Sequence, residues 1–452
     1  MKVIVIGAVA AGSKAAAKLK RLKPEWDVVI YTSDKNVAYS ECGLPYYIGG
    51  AFADINNLVV RTPKAFENSG IKVYLRHEVI KIFTENKEIL VRELDNNNNE
   101  FVTKYDKLII ATGARAFIPE KYSTNLQNVF KLRDLDDGYL IKKAVLQSKK
   151  AVILGGGYIG IEMLEAFVKQ HLQVILIHSR ENIMSIFDPD ISSLIQKHVI
   201  QRDLENIRII DNDTIEEIQG DGVVKRVITK NNINIDTDLV LLSIGVKPNV
   251  ELASSAGISL GKTGAIKVNE YMETNIDDIY ACGDCVEKYN IVADAPCWIP
   301  LGSTANKEGR CCAMNVAGIK ESFTGILGSS VSKYFNFTMS MTGLTETDAK
   351  KYGFEPVSVI VKKNDKAGYM PNVKRITLKL VADKTTNRIL GAQGIGTGDV
   401  DKRINTLTSA LLSKMTLQEF VGDDITYAPP FSTSIDLMLN AAQKLIHKLS
   451  MH

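Results

Sequence analysis

The sequence has few cysteines, no long apolar run and little excess of charge, and each shortage excludes a class of protein. Six cysteines among 452 residues are too few and too irregularly spaced for a disulfide framework. No apolar stretch approaches the roughly 20 residues that span a bilayer, and Gly7 interrupts an apolar start that otherwise imitates a signal peptide. A net charge of +3 gives no reason to expect nucleic acid. We therefore expect a cytoplasmic protein with no membrane or nucleic-acid partner.

Two separate segments share the order strand, glycine turn, helix, strand. The first has a strand at 3–6, the turn Gly7–Gly12 and a second strand at 28–31; the second has a strand at 151–154, the turn Gly155–Gly160 and a strand at 174–177. Short strands made only of apolar residues are typical of parallel sheets buried on both faces. The sequence therefore predicts an α/β fold with two Rossmann-like dinucleotide-binding domains.

The second turn has the full glycine spacing of a dinucleotide site. Gly155 permits the turn, Gly157 lets a pyrophosphate approach the backbone, and Gly160 lets helix and strand pack closely. The helix N-terminus then faces the phosphates. The next strand ends at His178-Ser179-Arg180, without the acidic residue that would hold an NAD ribose. Arg180 could bind a 2′-phosphate, so NADPH is predicted and NADH stays open.

The first turn is a weaker signal, because Val9 stands in place of its middle glycine. It gains weight from a predicted strand that ends in Gly283-Asp284, where a carboxylate could bind the ribityl hydroxyls of a flavin. Two further apolar strands are predicted, 107–110 before Gly113 and 239–242 before Gly245. The first would be the last strand of the first unit, and the second would be the last strand of the second unit. One FAD site and one NAD(P) site are the expected result.

Cys42 is an isolated thiol just beyond the second strand of the first unit. A dithiol of the C-x-x-x-x-C kind would need cysteine at the position of Tyr47, so any disulfide of Cys42 must form with something outside this motif. Electron transfer to sulfur needs a thiolate, and a helix N-terminus lowers a thiol pKa. We expect a helix to open directly after Cys42, with Pro45 in its first turn, and so to lower that pKa. Glu41 opposes this unless its side chain points away.

The remaining cysteines are expected to be structural. Cys282 and Cys285 have C-x-x-C spacing, but no second pair or histidine cluster completes a metal site, and no metal is predicted. Cys297 and the vicinal pair Cys311–Cys312 are expected to be inert.

Beyond residue 326 the pattern changes to an α+β domain without a glycine fingerprint. Strands are predicted at 374–381 and 388–392 around a turn at 384–387, and helices at 404–414 and 435–449. The predicted division is 1–115 and 245–325 for the two parts of the FAD-binding domain, 116–244 for the NAD(P)-binding domain and 326–452 for a C-terminal dimerisation domain.

Five segments together resemble the single-cysteine pyridine nucleotide–disulfide oxidoreductases, and within that family the coenzyme A disulfide reductases. They are Gly7–Gly12, Cys42–Tyr47, Gly155–Glu162, Cys282–Asp284 and Tyr427–Phe431. The resemblance covers essentially the whole chain. It implies FAD, NADPH or NADH, a small thiol or disulfide such as coenzyme A as substrate, and a homodimer whose active site is shared across the interface.

The resemblance also implies roles for single residues. Cys42 would cycle between a thiolate and a mixed disulfide with coenzyme A. Tyr427 would act from the partner subunit as proton donor to the leaving thiolate, with Tyr369 as the second tyrosine of that site. Glu162 would lie near nicotinamide and flavin, and Tyr158 would gate the flavin face.

Further residues are expected to contact the ligands by their place in the same motifs. For FAD these are Gly7, Gly12, Thr32, Ser33, Thr112, Gly113, Asp284 and Ala305; for NAD(P), Ile159, His178 and Gly245 join the second glycine turn; for the substrate, Arg21, Ser40 and Arg61.

Two departures from the family pattern keep alternatives open. Oxidase and peroxidase relatives carry a histidine about where Ala10 stands, and the coenzyme A reductases favour Ser-Phe-x-Asn-Cys where this chain has Ala38-Tyr39-Ser40-Glu41-Cys42. The alternatives are an NAD(P)H oxidase or polysulfide reductase of the same family, and a flavin-bound redox-sensing interaction protein.

Overall fold

The structure is a computed structural model, and it describes residues 1–451. Its strands, in chain order, are Lys2–Ile6 (β1), Asp27–Tyr31 (β2), Ile71–Tyr74 (β3), His77–Phe83 (β4), Glu88–Glu93 (β5), Asn99–Lys104 (β6), Lys107–Ile110 (β7), Ala114–Ala116 (β8), Val129–Phe130 (β9), Lys150–Leu154 (β10), Gln173–Ile177 (β11), Ile207–Ile210 (β12), Ile215–Asp221 (β13), Val223–Thr229 (β14), Asn234–Asp236 (β15), Leu239–Leu242 (β16), Val246–Pro248 (β17), Ile279–Ala281 (β18), Lys288–Asn290 (β19), Ala295–Cys297 (β20), Ser330–Tyr334 (β21), Phe337–Gly343 (β22), Pro356–Asn364 (β23), Arg375–Asp383 (β24) and Ile389–Gly396 (β25).

The α-helices follow in the same order. They are Ala10–Leu22 (α1), Leu44–Ile48 (α2), Pro63–Glu67 (α3), Leu135–Val145 (α4), Tyr158–Lys169 (α5), Pro189–Arg202 (α6), Glu251–Ser255 (α7), Gly302–Val316 (α8), Glu346–Lys351 (α9), Val400–Leu412 (α10), Leu417–Val421 (α11) and Leu437–Ser450 (α12). Among residues 1–451, no helix combines the length and the apolar character that crossing a bilayer needs.

The first parallel sheet has the strand order β18-β7-β1-β2-β3. Its strands are apolar throughout because both faces are buried: Val3 and Val5 pack into one hydrophobic cluster, Ile4 and Ile6 into another. Helices α1 and α8 pack together on the first of these faces. β18 belongs to this sheet although it comes late in the chain, so the chain leaves the sheet after β7 and returns to it.

The second parallel sheet has the order β12-β11-β10-β16-β9 and repeats this construction. Ile153 packs on one face, while Val152 and Leu154 pack on the other. Two small antiparallel sheets, β4-β5-β6 and β13-β14-β15, accompany the two large parallel sheets. The antiparallel pair β8–β17 connects the segment where the chain leaves the first sheet with the segment where it returns. The two Rossmann-like domains predicted from the sequence are confirmed.

The C-terminal domain is an antiparallel sheet of order β21-β22-β25-β24-β23 with helices α10, α11 and α12 in contact with it or with one another. The predicted strands and helices of this region are confirmed within a few residues, and the predicted turn lies between β24 and β25. The predicted domain boundaries at 115, 244 and 325 remain predictions.

Candidate active site

The two glycine turns have the same geometry. A Cβ atom on Gly12 would lie 2.0 Å from the carbonyl oxygen of Gly7, and one on Gly160 would lie 2.0 Å from that of Gly155. Each third glycine therefore lets a helix pack directly on the turn before it. Neither α1 nor α5 has an acidic residue in its first turn. The positive ends of both helices are thus left without a competing carboxylate, as a phosphate site requires.

A cavity of about 1980 Å³ lies at the carboxyl ends of the strands of both parallel sheets. Sites for drug-sized ligands measure roughly 300–1,000 Å³, so this cavity has room for more than one such ligand. Most residues predicted to bind cofactors, together with Cys42 and Ser40, line it: Gly7, Thr32, Ser33, Thr112, Gly113, Gly155, Gly157, Tyr158, Ile159, Glu162, His178, Arg180, Gly245, Asp284 and Ala305. Gly12 and Gly160 do not line it, because they serve the packing of helix on strand.

The nicotinamide side of the cavity has open space over its backbone. A Cβ atom on Gly157 or on Gly245 would meet no atom within 4 Å. Gly157 is the N-cap of α5 and lines the cavity. A phosphate could therefore approach the backbone here, and the residues present fit a dinucleotide.

The flavin side contains an unsatisfied buried acceptor. Asp284 follows β18, lines the cavity, and its Oδ1 atom is buried without a hydrogen-bond partner. Leaving such an atom unpaired costs about 1–3 kcal/mol, so a ligand hydroxyl at this point would be favourable. The neighbouring Gly283 is held by a buried pair: its N–H donates to Glu308 (2.8 Å), and Lys288 Nζ donates to its carbonyl (3.0 Å). This fits the ribityl chain of FAD, which the sequence assigned to Asp284.

Thr32 and Ser33 lie where the acidic residue of other flavin sites would be expected. Thr32 is buried, and its hydroxyl accepts the backbone N–H of Asp34 at 3.2 Å. The Asp34 carboxylate in turn accepts the Tyr39 hydroxyl at 2.8 Å. All three residues at 32–34 line the cavity, so hydroxyl groups and one engaged carboxylate face the adenosine end.

The strand end that distinguishes NADH from NADPH carries a buried imidazole and an exposed guanidinium. His178 is buried and its Nε2 lies 2.8 Å from Asp211 Oδ1. Arg180 lines the cavity, is exposed, and makes no salt bridge with any residue of 1–451. A free guanidinium at this point suits a 2′-phosphate.

Tyr158 and Glu162 lie on one side of α5, as their spacing of four residues dictates. The Tyr158 hydroxyl bonds Ser330, and Glu162 accepts the Ser332 hydroxyl at 3.2 Å, so both are tied to β21. Burial is the main cause that raises the pKa of the Glu162 carboxyl. Both side chains line the cavity beside Cys42.

Cys42 is exposed to the cavity, in the short turn that leads into α2. Pro45 occupies the first turn of that helix as predicted. The expected lowering of the thiol pKa is wrong for this chain: desolvation by the cavity walls raises it, and the charges of Glu162, Glu41 and Asp284 raise it further. A helix of five residues offers little opposing dipole.

Arg133, which sequence reasoning missed, is the cation that faces this acidic group. Its Nη1 atom lies 3.0 Å from Glu41 Oε2, and its Nη2 atom lies 3.7 Å from Asp284 Oδ2. Glu41 therefore pairs with Arg133, while burial raises the pKa of Glu41 to about 7 against that attraction. Arg133 also opposes the raised pKa of Cys42. No motif in the sequence marks this arginine, because its partners come from distant segments.

Arg21 and Arg61 lie outside the cavity but near each other. Arg61 donates to the carbonyl of Ala65 at 2.7 Å and lies 4.1 Å over the ring of Phe66. Burial, and then the like charge of Arg21, lower the pKa of Arg61. The two predicted substrate arginines therefore form one basic spot on the surface of the first domain.

Tyr369 and Tyr427 lie on the C-terminal domain and do not line the cavity of their own chain. They are 77% and 50% exposed, respectively. The backbone N–H of Ala367 donates to the carbonyl of Pro429 at 3.2 Å, which places the two tyrosine-bearing segments side by side. The structure thus brings the two tyrosine-bearing segments together, and neither tyrosine lines the cavity that contains Cys42 of the same chain.

The other thiols are placed away from solvent. Cys282, Cys285, Cys311 and Cys312 are buried, and Cys297 is partly buried. Within residues 1–451, no group of three or more His, Cys, Asp or Glu side chains could hold a metal ion.

Two family models match this chain. Residues 1–309 match the pyridine nucleotide-disulphide oxidoreductase model, and residues 329–439 match the dimerisation domain of the same family.

Named relatives match over nearly the full length. The chain is 35% identical over 452 residues to the NAD(P)H coenzyme A polysulfide/persulfide reductase of Pyrococcus horikoshii, covering 98% of both chains. It is 31% identical to the coenzyme A disulfide reductase of Staphylococcus haemolyticus, covering 97% of both. The solved structure of an NAD-dependent persulfide reductase from A. fulgidus superposes with a TM-score of 0.96 at 33% identity, over 100% of this chain and 84% of that one.

Proposed function

The chain belongs to the pyridine nucleotide-disulphide oxidoreductase family, and from that premise we propose that it reduces coenzyme A disulfide or a coenzyme A persulfide through Cys42. The family uses FAD and NAD(P)H, and the protein is an FAD-dependent oxidoreductase. The observation that carries the proposal is the position of Cys42. It is an exposed, unpaired thiol in the same cavity as both glycine turns.

FAD, when bound, supplies the transfer of two electrons from NAD(P)H to sulfur. The chain's residues would hold it through the first glycine turn, the hydroxyls at residues 32–33, Asp284 and the start of α8. The second glycine turn, His178 and Arg180 would hold the nicotinamide nucleotide, with NADPH favoured by the free Arg180.

The reaction at sulfur balances as a disulfide exchange followed by a reduction. The Cys42 thiolate attacks coenzyme A disulfide, a Cys42–coenzyme A disulfide forms, and one coenzyme A thiolate leaves. Two electrons from NAD(P)H then break the mixed disulfide and release the second coenzyme A, with one proton taken up by each thiolate. In such exchanges the thiol of lower pKa leaves faster. Desolvation and the nearby carboxylates, which raise the pKa of Cys42, therefore favour coenzyme A as the leaving group.

Two features, one on the surface and one in the cavity wall, support coenzyme A as the substrate. The basic spot of Arg21 and Arg61 suits the phosphates of a coenzyme A molecule whose sulfur end reaches Cys42. Ser40 lines the cavity two positions before Cys42 and would contact the pantetheine arm.

A twofold dimer is part of the proposal. Tyr369 and Tyr427 are exposed on the dimerisation domain and absent from the cavity of their own chain. In an isologous dimer they would reach the cavity of the other subunit, where Tyr427 would protonate the departing thiolate.

We also propose that the protein works in a reducing compartment, the cytoplasm. All six cysteines are unpaired in the structure, and proteins of oxidising compartments usually pair theirs.

The test is to identify what Cys42 carries. The purified protein is denatured without reductant, digested and analysed by mass spectrometry, with the Cys297→Ser variant as control for a partly buried thiol. We expect a coenzyme A adduct on Cys42 in both proteins. A sulfenic or sulfinic acid on Cys42, with oxygen consumption in place of coenzyme A disulfide turnover, would contradict the proposal and favour an NAD(P)H oxidase.

A further inference from the structure

One buried arginine lies beneath the two tyrosine-bearing loops, which we define as residues 365–371 and 427–436. Arg403, on α10, is 5% exposed. Its Nη2 atom donates to the carbonyl of Asp365 at 2.9 Å, at the start of the first loop. Its Nε atom donates to Asp436 Oδ2 at 3.1 Å, at the end of the second loop. Its Nη1 atom donates to the carbonyl of Asp399 at 3.0 Å, which fixes the guanidinium on its own helix.

The two contacted aspartates are themselves the anchors of the loops. Asp436 accepts the Ser432 hydroxyl at 2.8 Å and the backbone N–H of Met438 at 3.0 Å, so it closes the second loop and caps α12. The Asp365 carboxylate accepts the backbone N–H of Lys374 at 2.8 Å, across the base of the first loop. Arg403 is therefore joined to both loop bases at once.

The tyrosines have little else to fix their positions. Tyr369 and Tyr427 extend into solvent, while the main direct link between their loops is the single backbone bond from Ala367 to Pro429. The placement of each phenol thus depends on where its loop base is held. A planar guanidinium with three engaged nitrogens holds two bases in a fixed relation, which a lysine ammonium could not reproduce.

We propose that Arg403 is a positioning residue for the shared active site: it holds the Tyr369 and Tyr427 loops in the one arrangement that lets Tyr427 reach the thiol of the partner subunit. This inference rests on the proposed function. It adds that a residue on α10, buried and not itself lining the cavity of its own chain, controls proton delivery in the other subunit's cavity.

The competing explanation is that Arg403 only stabilises the C-terminal domain. The two explanations differ in which half of the reaction they affect. Reduction by NADPH uses the cavity of one chain alone, whereas reduction of the disulfide needs the tyrosines. A positioning role predicts that only reduction of the disulfide is slowed. General destabilisation predicts that both half-reactions are affected alike.

The test uses the dimeric holoenzyme with Arg403→Lys, Tyr427→Phe, the double variant, and Leu407→Ala as matched control. Leu407 is fully buried on α10, one turn beyond Arg403, in the apolar cluster of this domain, so its truncation destabilises the helix without touching the loops. Each protein is checked for dimer mass and thermal unfolding, so that only folded dimers are compared. The rates of reduction by NADPH and of reoxidation by coenzyme A disulfide are measured separately by stopped-flow absorbance, the latter across pH.

We expect Arg403→Lys to slow reoxidation about 10- to 100-fold, since a misplacement of about 1 Å can cost a factor of 100. Reduction by NADPH should be unchanged, and the double variant should be no slower than Tyr427→Phe alone. Arg403→Lys should change the pH profile of reoxidation in the same way as Tyr427→Phe does. Leu407→Ala should lower the unfolding temperature and leave both half-reactions unchanged.

Equal slowing of both half-reactions, full additivity of the two substitutions, or a reoxidation rate unchanged in Arg403→Lys would overturn the positioning role. If Tyr427→Phe leaves the reoxidation rate unchanged, the proposed role of Tyr427 as proton donor fails. If Arg403→Lys nevertheless slows reoxidation, Arg403 does not act through Tyr427. If Arg403→Lys does not form a dimer, Asp436→Asn replaces it, because asparagine keeps the helix cap while removing the charge that Arg403 binds.

Discussion

Glu41 is a neighbouring acid whose removal should change the reactivity of Cys42. It precedes the cysteine, lines the same cavity and is held by Arg133 at 3.0 Å. Its charge is among the causes that raise the pKa of the Cys42 thiol, after desolvation and Glu162. The substitution Glu41→Gln removes this charge with little change in shape, so it should lower the pKa of Cys42.

The size of the effect follows from the distance dependence of the interaction and the exposure of the thiol. Two unit charges about 4 Å apart interact by about 1 kcal/mol in water and about 4 kcal/mol near a protein surface. The lower value applies here, because Cys42 is exposed and Arg133 partly neutralises Glu41. One kcal/mol corresponds to about a fivefold change in an equilibrium constant, so the thiolate fraction at a given pH should rise by up to about fivefold.

The effect should depend on pH in a defined direction. The pKa of Glu41 is raised to about 7. Below this value wild-type Glu41 is protonated and resembles glutamine, and above it the carboxylate is charged. The two proteins should therefore react alike near pH 6 and differ near pH 8, where Glu41→Gln is the faster.

The assay is the rate at which iodoacetamide alkylates reduced Cys42 across pH, read by mass spectrometry. Glu78→Gln is the control, because Glu78 lines the same cavity but is absent from the charges that act on the thiol. A rate for Glu41→Gln that equals wild type at high pH, or falls below it, would refute the electrostatic reasoning. So would an equal acceleration by Glu78→Gln.

Three further predictions concern the cofactor sites and the dimer. Arg180→Ala should raise the KM for NADPH about tenfold or more and leave that for NADH nearly unchanged, since a charge-assisted contact is worth about 1.5–3 kcal/mol; equal KM changes for both would contradict this. Glu308→Leu should destabilise the protein to chemical denaturation by about 3–5 kcal/mol, because it leaves Lys288 as a buried unpaired charge. Adding Lys288→Met should restore much of the lost free energy of unfolding. If it restores none, Lys288 and Glu308 do not act as a pair. Mixing inactive Cys42→Ser with inactive Tyr427→Phe subunits should restore about a quarter of the activity, if subunits exchange at random and the sites are shared; no restoration in proven heterodimers would contradict a shared site.

The fold could be predicted from the sequence wherever the signal is local. The strands β1 and β10 are short apolar runs followed by glycine turns, and the same residues that reveal them also place the two cofactor sites. The helices α10 and α12 were also predicted, as helical stretches at 404–414 and 435–449. The predicted ends differ by a few residues because helix ends depend on caps such as Asp436.

The parts that could not be predicted depend on contacts between distant segments. Desolvation, and then the charges of Glu162, Glu41 and Asp284, raise the pKa of Cys42, and only the assembled cavity brings Glu162 and Asp284 near the thiol. Arg133 carries no signature, since its partners lie in two other parts of the chain. Arg403 resembles any charged residue of an amphipathic helix in the sequence, and only the fold shows that it is buried between two loops.

The central claim is that the sulfur of Cys42 passes electrons from NAD(P)H to an external disulfide or persulfide. The most direct measurement is the anaerobic release of coenzyme A from coenzyme A disulfide, counted against NADPH consumed, in wild type and in Cys42→Ser. The account predicts two thiols per NADPH in wild type, and in Cys42→Ser no release although NADPH still reduces the bound flavin. Release of coenzyme A at an undiminished rate by Cys42→Ser would contradict it.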